Sequence, residues 1–189
     1  MRTAMAEDKL GDLIVRILVD LDRPVYTTSL VKLMYLIDYL HFRCAGRTAT
    51  GAEYIWDEYG PNAQGHIIVK AANRLEEAER ITIKSAPGGD RARVHHALDR
   101  GRPTFDPVLE AIVHDVLAKY GSMELSELVA ASKETEPFEH SRPGRKLVMS
   151  MAPRRVPSVT NEDWERHLAE RRSGAGKSIA EIKAKYDID

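Results

Sequence analysis

A single cysteine, Cys44, stands in a chain of 189 residues. One thiol excludes an intramolecular disulfide and a cysteine metal centre. Long apolar runs are missing too: nothing approaches the roughly 20 residues that cross a bilayer. No membrane partner is expected. The N-terminus, Met-Arg-Thr-Ala-Met-Ala-Glu-Asp, lacks the apolar centre of a signal peptide. These absences together predict a cytoplasmic protein.

Patterns that carry chemistry are also scarce. Of seven histidines only His95 and His96 are adjacent, and neighbours on a strand point to opposite faces. No histidine pair has the i, i+4 spacing of a helical zinc site. Ser126 and Ser141 lack an adjacent base. Glu76, Glu77 and Glu79 sit in no apolar setting that would raise a carboxyl pKa, so they read as a solvated helix face. Gly-Ala-Gly-Lys177-Ser178 ends like a phosphate-binding loop, but the full pattern needs glycine where Arg171 stands and a buried strand before it. A hinge followed by a helix cap is the simpler account. No catalytic residue, cofactor or metal is expected, and any function should concern partners rather than reactions.

What is present begins with charge of both signs. The net charge is −1, yet residues 80–102 hold six basic and two acidic side chains, and residues 142–155 hold five basic and none acidic. Residues 103–141 reverse this, with two basic and eight acidic. Such patches suit charged partners, or balance one another as solvated faces.

Hydrophobic residues make up 43% of the chain, ordinary for one globular domain with an appendage. Leu10, Leu13, Ile14, Ile17, Leu18 and Leu21 have helical spacing and predict a helix over about 7–22, ended at Arg23-Pro24. A second helix should run to about Ala45, capped by Thr27, Thr28 or Ser29 and stopped by Gly46. It is apolar nearly all round, from Leu30 to Phe42, which predicts burial on several sides. Glu53 to Trp56 alternates like a short strand. Pro61 suits the first turn of a helix over about 62–79.

Ile81 to Lys84 and Arg91 to Leu98, joined by Pro87-Gly88-Gly89-Asp90, read as a hairpin. Asp106-Pro107 opens a helix that Gly121 stops, and a shorter helix follows from Glu124 to Ser132. Thr160-Asn161 and the capping box Ser178 to Glu181 predict two helices in the tail. The expected fold is mainly α with a small β-hairpin, a helical bundle with a winged-helix-like arrangement. The expected division is a domain over 1–141 and a basic linker with a helical tail over 142–189.

In a winged-helix setting, Lys84, Arg91 and Arg93 would line the wing and could meet phosphates. The helix before it offers Asn62, Gln64, Lys70, Asn73 and Arg74, but three glutamates at its end oppose a phosphate backbone. DNA is therefore the alternative partner, not the favoured one.

Lys32-Leu33-Met34-Tyr35-Leu36, then Gly46, then Tyr59-Gly60-Pro61, resembles the Panacea domain of SocA-like antitoxins, whose relatives include phage-associated proteins. The stretch from Leu128 to Phe138, with Glu-Pro-Phe, is similar to that family's closing segment. The resemblance spans about residues 8–141. Phe138 stands where the family more often has tryptophan, and Asn62 where it has an aliphatic residue.

The resemblance implies a non-enzymatic antitoxin that binds a cognate protein toxin, blocking it or delivering it to a Clp-type protease. Aromatic residues are enriched at binding hot spots, so the expected partner contacts are Trp56, Tyr59 and Phe138. Glu134, Glu136, Arg142 and Arg145 join them from the acidic segment and the basic linker.

Overall fold

The computed structural model describes residues 2–86, 89–98 and 101–153. It is mainly α-helical with a small antiparallel sheet. Helix α1, Arg2–Leu21, precedes a two-residue strand β1, Val25–Tyr26, and helix α2, Thr27–Ala45. Strands β2, Tyr54–Ile55, and β3, Asn62–Ala63, pair with each other. A single 3-10 turn over Gln64–His66 leads into α3, Ile67–Glu77. Then come β4, Ile81–Ala86, β5, Gly89–Ala97, and helices α4, Pro107–Tyr120, α5, Leu125–Lys133, and α6, Glu136–Glu139.

Helix α2 is the axle of the core. Every residue from Leu30 to Tyr39 is buried, because α1, α4 and α5 pack around it. Leu13, Ile14 and Ile17 of α1 and Leu109, Val113 and Val116 of α4 share one continuous core with Leu33, Met34 and Ile37. Gly46 ends α2 in the left-handed region, φ 70°, where its N–H returns to the Phe42 carbonyl at 2.8 Å. Asp106 caps α4 as its sequence implied, accepting the Leu109 N–H at 3.1 Å. Glu124 and Glu127 cap α5 reciprocally.

Three local expectations differ from the structure. The residue preceding α2 is Tyr26, in extended conformation and without a side-chain cap. Thr27 cannot serve, because its hydroxyl bonds the His95 ring nitrogen Nε2 at 2.9 Å and ties the helix start to β5 instead. Pro61 does not open a helix. The two residues after it pair with β2 in the register Tyr54↔Ala63 and Ile55↔Asn62, and α3 waits until Ile67. Helix α1 also starts at Arg2, earlier than its first periodic leucine.

The hairpin β4–β5 forms as expected, and β1 joins its far side, giving the strand order β1–β5–β4. The helices expected after residue 160 lie outside the described residues.

Candidate interaction surface

One face of α2 carries polar groups through an otherwise apolar helix. Lys32, Tyr35, Tyr39 and Arg43 follow one another at helical spacing, and the first three are each committed to a distant segment. The Lys32 ammonium is 2% exposed and donates to the Pro61 carbonyl at 2.7 Å. The Tyr35 and Thr135 hydroxyls lie 2.5 Å apart, and Thr135 donates onward to the Ser132 carbonyl. The Tyr39 hydroxyl donates to Glu136 at 2.5 Å, with the Arg43 guanidinium over its ring. Burial alone would raise the Glu136 carboxyl, but this hydroxyl bond, a backbone N–H and the Arg43 charge act with one another to hold the group below its ordinary range.

The next residue around the helix, Asp38, is fully buried. It accepts the Thr50 N–H at 2.9 Å, the Tyr54 hydroxyl at 2.8 Å and the Thr50 hydroxyl. The helix therefore clamps β2, the 60–61 corner and the 132–136 stretch together.

The corner itself is built from backbone bonds. Asp57 accepts the Tyr59 N–H on its side chain and the Gly60 N–H on its carbonyl, both at 2.9 Å. Gly60 has φ +86°, and a Cβ there would stand 2.8 Å from Ser132 Oγ and 3.3 Å from Lys32 Cε. Only glycine meets both demands. Ser132 thereby seats the end of α5 against the corner.

Burial of the Lys32 ammonium lowers its pKa to about 8, against the pull of Asp57. A base with a folded pKa below its unfolded one adds stability as pH rises between the two values. The unfolding free energy should therefore rise by about 2 kcal/mol between roughly pH 8 and 10. Denaturant titration of Lys32→Met across that range should lack the rise.

The expected partner residues fall into two groups. Trp56 and Phe138 stack on each other, ring centroids 5.0 Å apart and planes within 17°. Phe138 is buried and Trp56 half-buried, so this pair underpins the surface. The Trp56 backbone bonds Arg145 and Gly144, at 2.8 and 3.0 Å, and Leu147 N–H donates to the Tyr54 carbonyl at 2.7 Å. The basic segment thus runs along β2 as a further extended chain, with Arg142 and Arg145 exposed. Glu134 is exposed and Glu136 half-buried. Tyr59, at 66% exposure, is the most open large apolar side chain among the described residues.

The hairpin residues are not pooled on one face. Lys84 stands opposite Val94 and Ser85 opposite Arg93, so Lys84 and Arg93, both exposed, point to opposite sides of the hairpin. The Arg91 side chain lies outside the described residues. Glu76 bonds the Ile83 N–H at 2.7 Å, which ties that carboxylate to β4. Among the described residues no cluster of His, Cys, Asp or Glu could hold a metal ion, and no helix is long and apolar enough to cross a membrane.

Residues 30–138 match the family model described as antitoxin SocA-like, Panacea domain, which is more than half of the chain. The chain belongs to the SocA-like antitoxin family. Comparison with curated proteins and with solved structures finds no match. Family membership indicates an antitoxin-like domain with a toxin as partner and suggests a non-enzymatic role. The match to the Panacea domain opens in α2 and closes at Phe138. Its ends are the two segments that Tyr35 and Tyr39 tie together.

Sequence reasoning quoted Lys32 and Tyr35 only as part of a motif and passed over Ser132 and Thr135. A signal for Lys32 was present: a lysine inside a mostly apolar helical run has to find a buried acceptor.

Proposed function

We propose that this Panacea domain neutralises a cognate protein toxin by direct protein–protein contact in the cytoplasm. The observation that carries the reading is the family match over residues 30–138. The structure supports it in one respect: the family motif residues are spent on holding a surface rigid. Lys32, Tyr35 and Gly60 are buried, and each is bonded or packed against another segment. A rigid, pre-formed surface lowers the cost of ordering on binding.

The test is co-expression with the product of the neighbouring gene. Growth arrest by that product alone, relieved when this chain is present, is the expected result. A harmless neighbour, or one that stays toxic beside this chain, sinks the reading. Blocking and delivery to a Clp-type protease separate in a host lacking that protease. Protection persists there if contact alone is sufficient.

A second reading, a DNA-binding regulator of winged-helix type, is favoured by the order of elements. Strand β1 lies between α1 and α2, α3 precedes the hairpin, and the sheet runs β1–β5–β4. The exposed stripe of α3 presents Lys70, Asn73, Arg74 and Glu77. This reading predicts a mobility shift on duplex DNA from upstream of the gene at low salt. Lys84→Glu and Arg93→Glu should each reduce the slope of log affinity against log salt by about 1. No shift at low salt removes it.

A further inference from the structure

Trp56 and Phe138 support the surface from beneath, whereas Tyr59 stands out from it. Among the described residues the core is assembled without the Tyr59 ring. Its mount is rigid all the same. Asp57 accepts the Tyr59 and Gly60 N–H groups, Gly60 lies close against Ser132, and Lys32 grips the Pro61 carbonyl two residues on. A tyrosine has only two side-chain torsions to order, so on a fixed turn it offers a large contact at low entropic cost. An exposed apolar ring on so constrained a loop is the opposite of a mobile surface residue.

Two carboxylates adjoin the ring. Glu58 is exposed beside the ring, and its carboxylate pushes the Tyr59 hydroxyl pKa up. Asp57 is half-buried and accepts the Tyr59 N–H. The countercharges at hand are the buried Lys32 and the half-buried Lys133, while the exposed Arg142 and Arg145 lie on the segment bonded to Trp56. An aromatic ring with an acidic fringe is complementary to an apolar pocket with a basic rim.

We infer that Tyr59 is the anchor of the toxin contact and that Asp57 and Glu58 select a toxin face in which lysine or arginine surrounds a pocket for the ring. The inference rests on the antitoxin reading and narrows it. It assigns the binding energy to one side chain, and the partner preference to the carboxylates around it.

The experiment uses the full chain and the purified product of the neighbouring gene. Affinity and association rate are measured at low and high salt, alongside protection on co-expression. Tyr59→Ala should weaken binding by about 30-fold or more, the size of a hot-spot truncation, while its melting temperature stays at the wild-type value. Glu58→Lys should slow association about tenfold at low salt, and the difference should shrink at high salt.

Binding by Tyr59→Ala within about twofold of wild type overturns the anchor, and an unchanged association rate for Glu58→Lys overturns the basic rim. In both cases protection by the wild-type chain leaves the antitoxin reading standing. A wild-type chain that neither binds nor protects removes that reading, and the anchor falls with it. If Tyr59→Ala instead dissociates a homodimer and leaves toxin binding intact, the ring belongs to a self-interface and the toxin assignment is wrong.

Discussion

Arg16→Ala lowers the unfolding free energy by about 3 kcal/mol, the low end of the cost of breaking a buried ion pair, because the carboxylates left behind are only part-buried. Arg16 is 1% exposed on α1. Its guanidinium donates to Asp20 at 2.7 Å and to the Pro103 carbonyl at 2.7 Å, and it grips Glu110 with two bonds of 2.8 and 2.6 Å. Glu110 in turn accepts the Phe105 N–H at 2.8 Å. One side chain thus joins α1, α4 and the stretch that leads into α4. Arg102 also bonds Asp20, but from an exposed position, so Arg102→Ala should cost under about 1 kcal/mol.

The acid limb gives a second readout. Burial raises the Asp20 and Glu110 carboxyls, and the arginine hydrogen bonds overcome it, leaving both below their ordinary values of 3.8 and 4.5. An acid with a lowered folded pKa adds stability above its unfolded value and loses it as pH falls. Urea unfolding of wild type and Arg16→Ala should therefore converge below about pH 4. Equal differences at pH 3 and pH 7 would show that the arginine acts by packing alone.

Asp38→Ala should cost a similar amount, about 3–5 kcal/mol at pH 7. It strands the Thr50 N–H, the Thr50 hydroxyl and the Tyr54 hydroxyl in a site that excludes water. The loop at Thr50 and strand β2 would lose their tie to α2, so toxin binding should fall together with stability.

Asp38→Asn separates charge from shape. Burial pushes the Asp38 carboxyl up from 3.8 to about 6, despite the hydrogen bonds that favour its charged form. An acid with a raised folded pKa contributes stability fully below its unfolded value and loses it as pH climbs through the folded one. Wild type should thus lose about 3 kcal/mol relative to Asp38→Asn between roughly pH 4 and pH 7. A constant difference across that range would mean that Asp38 does not titrate there.

Much of the secondary structure was legible along the chain. Leu30 to Phe42 declared a buried helix and Gly46 its end, because helical periodicity and a left-handed glycine act within a few residues. Asp106-Pro107 and the Pro87 to Asp90 turn were legible for the same reason. The corner at Tyr59-Gly60-Pro61 was only half legible. A proline fixes φ near −65°, which suits a helix start and an extended strand equally. The Lys32 bond and the pairing of β3 with β2 decided for the strand.

The candidate site was less legible still. Trp56, Tyr59 and Phe138 are three aromatics in similar polar company, and nothing local separates them. Stacking between residues 56 and 138 buries one pair, and the left-handed Gly60 leaves Tyr59 outside. The sequence by itself determined where the helices and the hairpin form, and that the chain is a Panacea domain. The tertiary structure decided which buried charges are answered and which ring stays exposed. Arg16 meets Glu110 across 94 positions and Lys32 meets Pro61 across 29, and hydrogen bonds of that reach exist only once the core has closed.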